Sequence, residues 1–173
     1  MRKWTQLLAL FIGLQLSAQE AEWTSIKDIN PFIGSGGHGH THPSAQAPFG
    51  MIQLGPNTRY DGWDGCGGYH YSDSAMYGFS CTHLSGTGVS DYGDLLILPY
   101  SSRTKEGDHI KFFKEDEHAQ AGYYACILDD GTRIEATAGD RTGILRIRFG
   151  EGNAPGIMVD LNFRDRVLKK SFE

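Results

Sequence analysis

Fourteen of the 23 glycines and four of the six prolines fall between residues 30 and 94, a stretch with almost no helical periodicity. A glycine gives up more backbone freedom on folding than any other residue, so this segment cannot order itself by local preference. Burial has to hold it. Phe32, Ile33, Phe49, Met51, Ile52 and Leu54 supply more apolar surface than a disordered chain carries. Residues 30–94 are therefore read as ordered loops and short strands. Long ordered loops tend to carry function, and five of the seven histidines lie within this one.

The second half has strand-like signals. Asp94–Pro99 (DLLILP) is a short apolar run bounded by Gly93 and Pro99, suited to a buried strand. Tyr123–Leu128 and Thr132–Ala138 flank Asp129-Asp130-Gly131, where Asp-Gly favours a tight hairpin turn. In Gly143–Phe149, Leu145, Ile147 and Phe149 alternate with Arg146 and Arg148, and Gly156–Leu161 (GIMVDL) is a further buried candidate. Short strands separated by turns predict a mainly β fold, an antiparallel β-sandwich rather than a βαβ layout. GIMVDL runs into NFRDRVLKKSFE with no closing element. A sheet ending there leaves an unpaired edge, so the domain reads as cut off partway.

Residues 1–18 read as a signal peptide: Arg2 and Lys3, then an apolar Leu7–Leu16, then Leu16-Ser17-Ala18 before Gln19. The run is too short for a confident membrane span, and no Cys at the cleavage site offers a lipid anchor. Loss of Arg2 and Lys3 takes the formal charge from -5 to about -7. That balance disfavours nucleic acid as a partner, since such binding rests on Lys and Arg at phosphates. Cys66, Cys81 and Cys126 allow one disulfide and one free thiol, with the pairing open.

Three clusters carry possible chemistry. His38, His40 and His42 alternate in GGHGHTH, a spacing that can put imidazoles on one side of an extended segment, as zinc requires. The competing reading is a glycine-rich loop whose histidines bond to backbone. The second cluster, Arg59 to Asp73, mixes Trp63 and tyrosines with Asp61, Asp64, His70 and Asp73. Rings cover apolar sugar faces while Asp and His take hydroxyls, so the cluster suits a polyhydroxylated ligand; packing over a sheet end is an equal reading. The third, Tyr77 to Asp94, contains Ser, His83 and Asp91 but neither a GxSxG nor a phosphate loop, which disfavours a nucleophilic triad. No pair of carboxylates is singled out for glycosidase work.

Three blocks, NPFIGSGGHGHTHPSAQAPFGMIQLGPNTR, GWDGCGGYHYSD and YGFSCTHLSGTGVSDYGDLLILP, closely resemble the amino-terminal domain of glycoside hydrolase family 92. These are exo-acting α-mannosidases. The blocks cover residues 29–99 almost without a gap, and residues 100–173 fit more loosely. The resemblance implies a β-sandwich over residues 19–173, packed in the complete protein against an (α/α)6 helical domain that this chain lacks. It implies inversion of configuration, dependence on Ca2+, and a general acid (Glu) and general base (Asp) in the helical domain. No catalytic residue and no metal ligand is therefore placed on this sequence; imidazoles such as His38 and His40 are poor partners for a hard, oxygen-seeking cation.

By resemblance, Trp63 contributes to the sugar subsite beyond the cleaved bond, with Asp61, Asp64, His70, Asp73, His83 and Asp91 as pocket neighbours. The expected protein is the amino-terminal part of an exported exo-α-mannosidase, periplasmic or secreted, acting on mannose-containing glycans and inactive as this chain alone. An autonomous carbohydrate-binding β-sandwich is the alternative, and a zinc hydrolase built on His38, His40 and His42 a third.

Overall fold

Eleven short strands and two 3-10 turns carry the regular structure in the computed structural model, which describes residues 25–59, 62–88, 92–100, 109–151 and 154–163. In the first sheet, β1 (Ala45–Gln46), β2 (Gln53–Asn57), β4 (Gly78–Ser80), β5 (Leu96–Tyr100) and β11 (Gly156–Asp160) lie side by side in that order. The second sheet runs β10 (Gly143–Arg148), β9 (Arg133–Ala138), β8 (Tyr123–Ile127), β7 (His118–Gln120). A small ribbon joins β3 (Ala75–Met76) to β6 (Ile110–Lys111). Every pairing is antiparallel.

The two sheets face each other across one core. Leu54, Phe79 and Leu98 from the first meet Tyr124, Cys126, Ile134 and Ala136 from the second, with Met76, Ile110 and Phe112 closing one side. Phe79 and Tyr124 touch as a T-shaped ring pair, centroids 5.9 Å apart, which fixes one sheet against the other. Each such fully buried side chain stabilises the fold by about 1.5–3 kcal/mol relative to exposure. Burial also pushes the Cys126 thiol up to about 12, the nearby Glu117 charge adding to the effect. No disulfide joins Cys66, Cys81 and Cys126, so the bridge the sequence allows is not formed here.

The hairpin forms where the sequence places it. Gly131 sits at φ +82°, its N–H donates to the carbonyl of Leu128 at 2.9 Å, and Thr132 N–H donates to Asp130 Oδ1 at 2.9 Å. Leu145 and Ile147 turn inward while Arg146 and Arg148 stay exposed. Two details differ. Strand β5 continues through Pro99 to Tyr100, tolerated because β4 meets β5 at the single pair Phe79 and Ile97. Strand β11 is not a buried strand: among the described residues it pairs with β5 alone, at the sheet margin, and leaves Ile157 and Val159 half exposed.

Side chains pin the glycine-rich loops onto this frame. The buried Glu117 carboxylate accepts from Tyr69 Oη at 2.9 Å, Tyr124 Oη at 2.7 Å and Lys114 Nζ at 2.8 Å. The Lys114 ammonium also lies 4.8, 4.9 and 4.8 Å from the ring centroids of Tyr69, Tyr71 and Phe112. A charge kept out of water this way is balanced on every side. Arg59 grips Asp73 with two parallel bonds, Nε to Oδ2 and Nη2 to Oδ1, each 2.9 Å.

Candidate functional site

After β2 the chain enters a tight run of turns. Thr58 N–H donates to the Gly68 carbonyl at 2.7 Å and Gly68 N–H to Gly65 at 2.9 Å, with Gly65 to His70 all buried. At the head of this run Trp63 is thrown outward and is 63% exposed. Beside it, Asp64 Oδ1 accepts from His38 Nδ1 at 2.9 Å. That bond holds the Asp64 carboxyl below its usual range, against the opposing pull of desolvation. The His38 side chain is 89% exposed, so it lies largely in solvent. His40 lies against Trp63 edge-on, centroids 4.8 Å apart. The result is an open platform: one aromatic face, one imidazole and one carboxylate, a set able to cover a sugar ring and bond its hydroxyls.

The other residues singled out in the sequence do different work. His70 is buried, with Nε2 3.0 Å from the Gly37 carbonyl and Nδ1 2.8 Å from Ser72 Oγ, so it braces the loop behind the platform. His83 is buried between two carbonyls, Nδ1 2.8 Å from Gln53 O and Nε2 3.2 Å from Pro56 O. Asp73 is taken by Arg59. Asp61 and Asp91 lie outside the described residues. The contacts of His38 with Asp64 and of His40 with Trp63 join positions too far apart along the chain for any spacing rule to reveal.

The three alternating histidines do not converge. His38 goes to Asp64, His40 to Trp63, and His42 packs on His83 at 4.8 Å between centroids. Burial, and then the neighbouring His83, hold His42 well below the usual imidazole range, so it is neutral. No group of three His, Cys, Asp or Glu able to hold a metal exists among the described residues. Three carboxylates of this region have partners of their own: Asp64 accepts from His38, Asp73 from Arg59, and Asp94 from Thr82 Oγ1 at 3.1 Å. No helix among the described residues is long and apolar enough to cross a membrane.

Comparison with known proteins gives the family. Residues 28–172 match the profile of the Glycosyl hydrolase family 92 N-terminal domain. A fungal protein of Arthroderma benhamiae described as an uncharacterized secreted glycosidase is 29% identical over 175 residues, covering 92% of this chain and 22% of its own length. A family GH92 α-mannosidase from Bacteroides thetaiotaomicron superposes with a TM-score of 0.76 at 38% identity, covering 80% of this chain and 20% of that structure. An inverting GH92 mannosidase of the same organism gives a TM-score of 0.69 at 28% identity, covering 78% and 19%. The chain thus spans about a fifth of the length of these relatives. With the match running from residue 28 to residue 172, the chain belongs to glycosyl hydrolase family 92, whose N-terminal domain it carries.

Proposed function

We propose that this chain is the amino-terminal part of an exported, Ca2+-dependent, inverting exo-α-mannosidase, and that it supplies the leaving-sugar wall of the substrate cleft. The observation carrying this reading is Trp63, held 63% exposed at the head of an otherwise buried turn and flanked by the His38–Asp64 pair. An indole this open has a face to offer a sugar, with hydroxyl partners alongside. The general acid and base belong to the helical domain of the complete protein, and no Ca2+ ligand is assigned to this chain. In the complete enzyme the base activates a water that attacks the anomeric carbon while the acid protonates the departing oxygen. The separation of those two carboxyl groups sets the inverting outcome. Residues 1–18 act as the export signal, in keeping with a relative described as secreted. The substrate is a mannose-containing glycan.

The test is direct. The purified chain should bind an α-mannobiose saturably and release no mannose, and Trp63→Ala should abolish the binding while leaving the circular dichroism spectrum unchanged. Hydrolysis by this chain alone would overturn the division of labour. Binding that survives Trp63→Ala would remove the tryptophan from the site.

A further inference from the structure

The Trp63 indole rests on two supports from opposite parts of the glycine-rich region. On one side is the His40 ring, 4.8 Å away between centroids and tilted 80° to the indole plane. On another is Gly88, with its backbone at φ +69°; a methyl carbon built there would sit 2.7 Å from Cη2 and 2.8 Å from Cζ3 of the indole. Only glycine lets the chain come this close to the ring while holding that backbone angle. The supports are tied together, since the Gly86 N–H donates to the His40 carbonyl at 2.8 Å. Gly67 closes the same junction: a carbon added to it would lie 3.2 Å from the His40 carbonyl and 3.5 Å from that of Leu84. Segments 38–42, 62–68 and 84–88 therefore meet beneath one exposed side chain.

His40 has no other visible reason to be there. Its Nε2 is buried and has no hydrogen-bond partner among the described residues, an arrangement that costs stability. A ring that keeps this cost and spends its contact on Trp63 is serving the indole. We propose that His40 and Gly88 are positioning residues for sugar recognition: they form a seat that fixes the Trp63 indole and so selects which sugar ring it can cover. This rests on Trp63 being the sugar platform. A pre-fixed ring loses less freedom on binding than a mobile one, and a misplacement of about 1 Å in such a group costs as much as a hundredfold in efficiency.

The experiment uses the chain with Trp4 and Trp23 replaced by Phe, leaving Trp63 as its one indole among the three tryptophans. Acrylamide quenching and fluorescence anisotropy are read for the parent, Gly88→Ala, His40→Ala and His40→Phe, each titrated with α-mannobiose. Gly88→Ala and His40→Ala should raise quenching, lower anisotropy and weaken mannobiose by about tenfold or more, while His40→Phe, which keeps a ring, recovers most of the parent behaviour. If both alanine variants leave quenching and anisotropy at parent values, the seat is refuted whatever the sugar does. If they loosen Trp63 but the parent never responds to mannobiose, the seat stands as a fold device and the sugar reading falls instead. Should Gly88→Ala fail to fold, His40→Ala decides between the same outcomes.

Discussion

Tyr69 and Glu117, 48 residues apart, share a buried hydrogen bond of 2.9 Å that fastens the glycine-rich loop to the second sheet. The neighbouring Glu117 charge and burial together push the Tyr69 phenol well above its usual range, burial being the larger effect. The phenol is therefore a donor at every accessible pH. Glu117 in turn balances Lys114, and its side chain is only 1% exposed.

Removing that carboxylate leaves an ammonium and two phenols without their acceptor. We expect Glu117→Ala to lower stability by roughly 3–5 kcal/mol, the range for breaking a buried pair from one side. Glu117→Gln should lose less, because the amide oxygen still accepts from a phenol. Chemical denaturation measures both; hydrogen exchange should show residues 69–71 released first.

Acid should weaken the fold in two stages. His42 is held below its ordinary value, so the unfolded chain takes up its proton first. Its contribution is complete above about pH 6.5 and is lost as pH falls below that, at a slope of at most about 1.4 kcal/mol per pH unit. Glu135 is held down to about 2 by its bond from Arg146, then by Tyr123. Its contribution is present above its unfolded value, near 4.5, and disappears as pH drops toward 2. His42→Phe should flatten the first stage and leave the second. Denaturant midpoints measured from pH 7.5 to pH 2.5 would expose a missing first stage if His42 is not the group responsible.

The hairpin from Tyr123 to Ala138 was legible because its determinants are local: an Asp-Gly turn and alternating flanks. Gly131 at φ +82° is the residue the turn depends on. Gly131→Ala should cost about 1–2 kcal/mol, the ordinary penalty for a side chain in the left-handed region, with the same fold by circular dichroism. The platform was legible only through Trp63 and its neighbours. His70 and His83 stand in the same motif blocks, but they brace loops through backbone carbonyls 33 and 27 to 30 residues away, which sequence spacing does not encode. Strand β11 reads as buried by its apolar run, yet its place at the sheet margin depends on which strand pairs with β5, a non-local choice.

Calcium should leave this chain alone. The carboxylates of Asp64 and Asp73 each already accept from an imidazole or a cation, and the described residues hold no cluster of three His, Cys, Asp or Glu. A ligand that binds the native state raises stability by RT ln(1 + [L]/Kd). Millimolar Ca2+ should therefore shift the melting temperature no more than the same Mg2+, and chelator should change nothing. A Ca2+-specific rise in melting temperature would place a ligand set within these residues.

The outer margin of the first sheet gives the last expectation. Ile157 and Val159 on β11 are 55% and 50% exposed, on a strand with a neighbour along one side only among the described residues. Such an edge is a template for pairing with another chain unless a charge interrupts it, and the nearest on the strand is Asp160 at its end. The chain should associate with rising concentration, and Val159→Lys should suppress this by placing a charge in the middle of the edge. The substitution touches a half-exposed position, so its effect on stability should stay within about 0.5 kcal/mol. Light scattering across a concentration series reads the first effect and denaturation the second. Association unchanged by Val159→Lys would mean that copies meet through another surface.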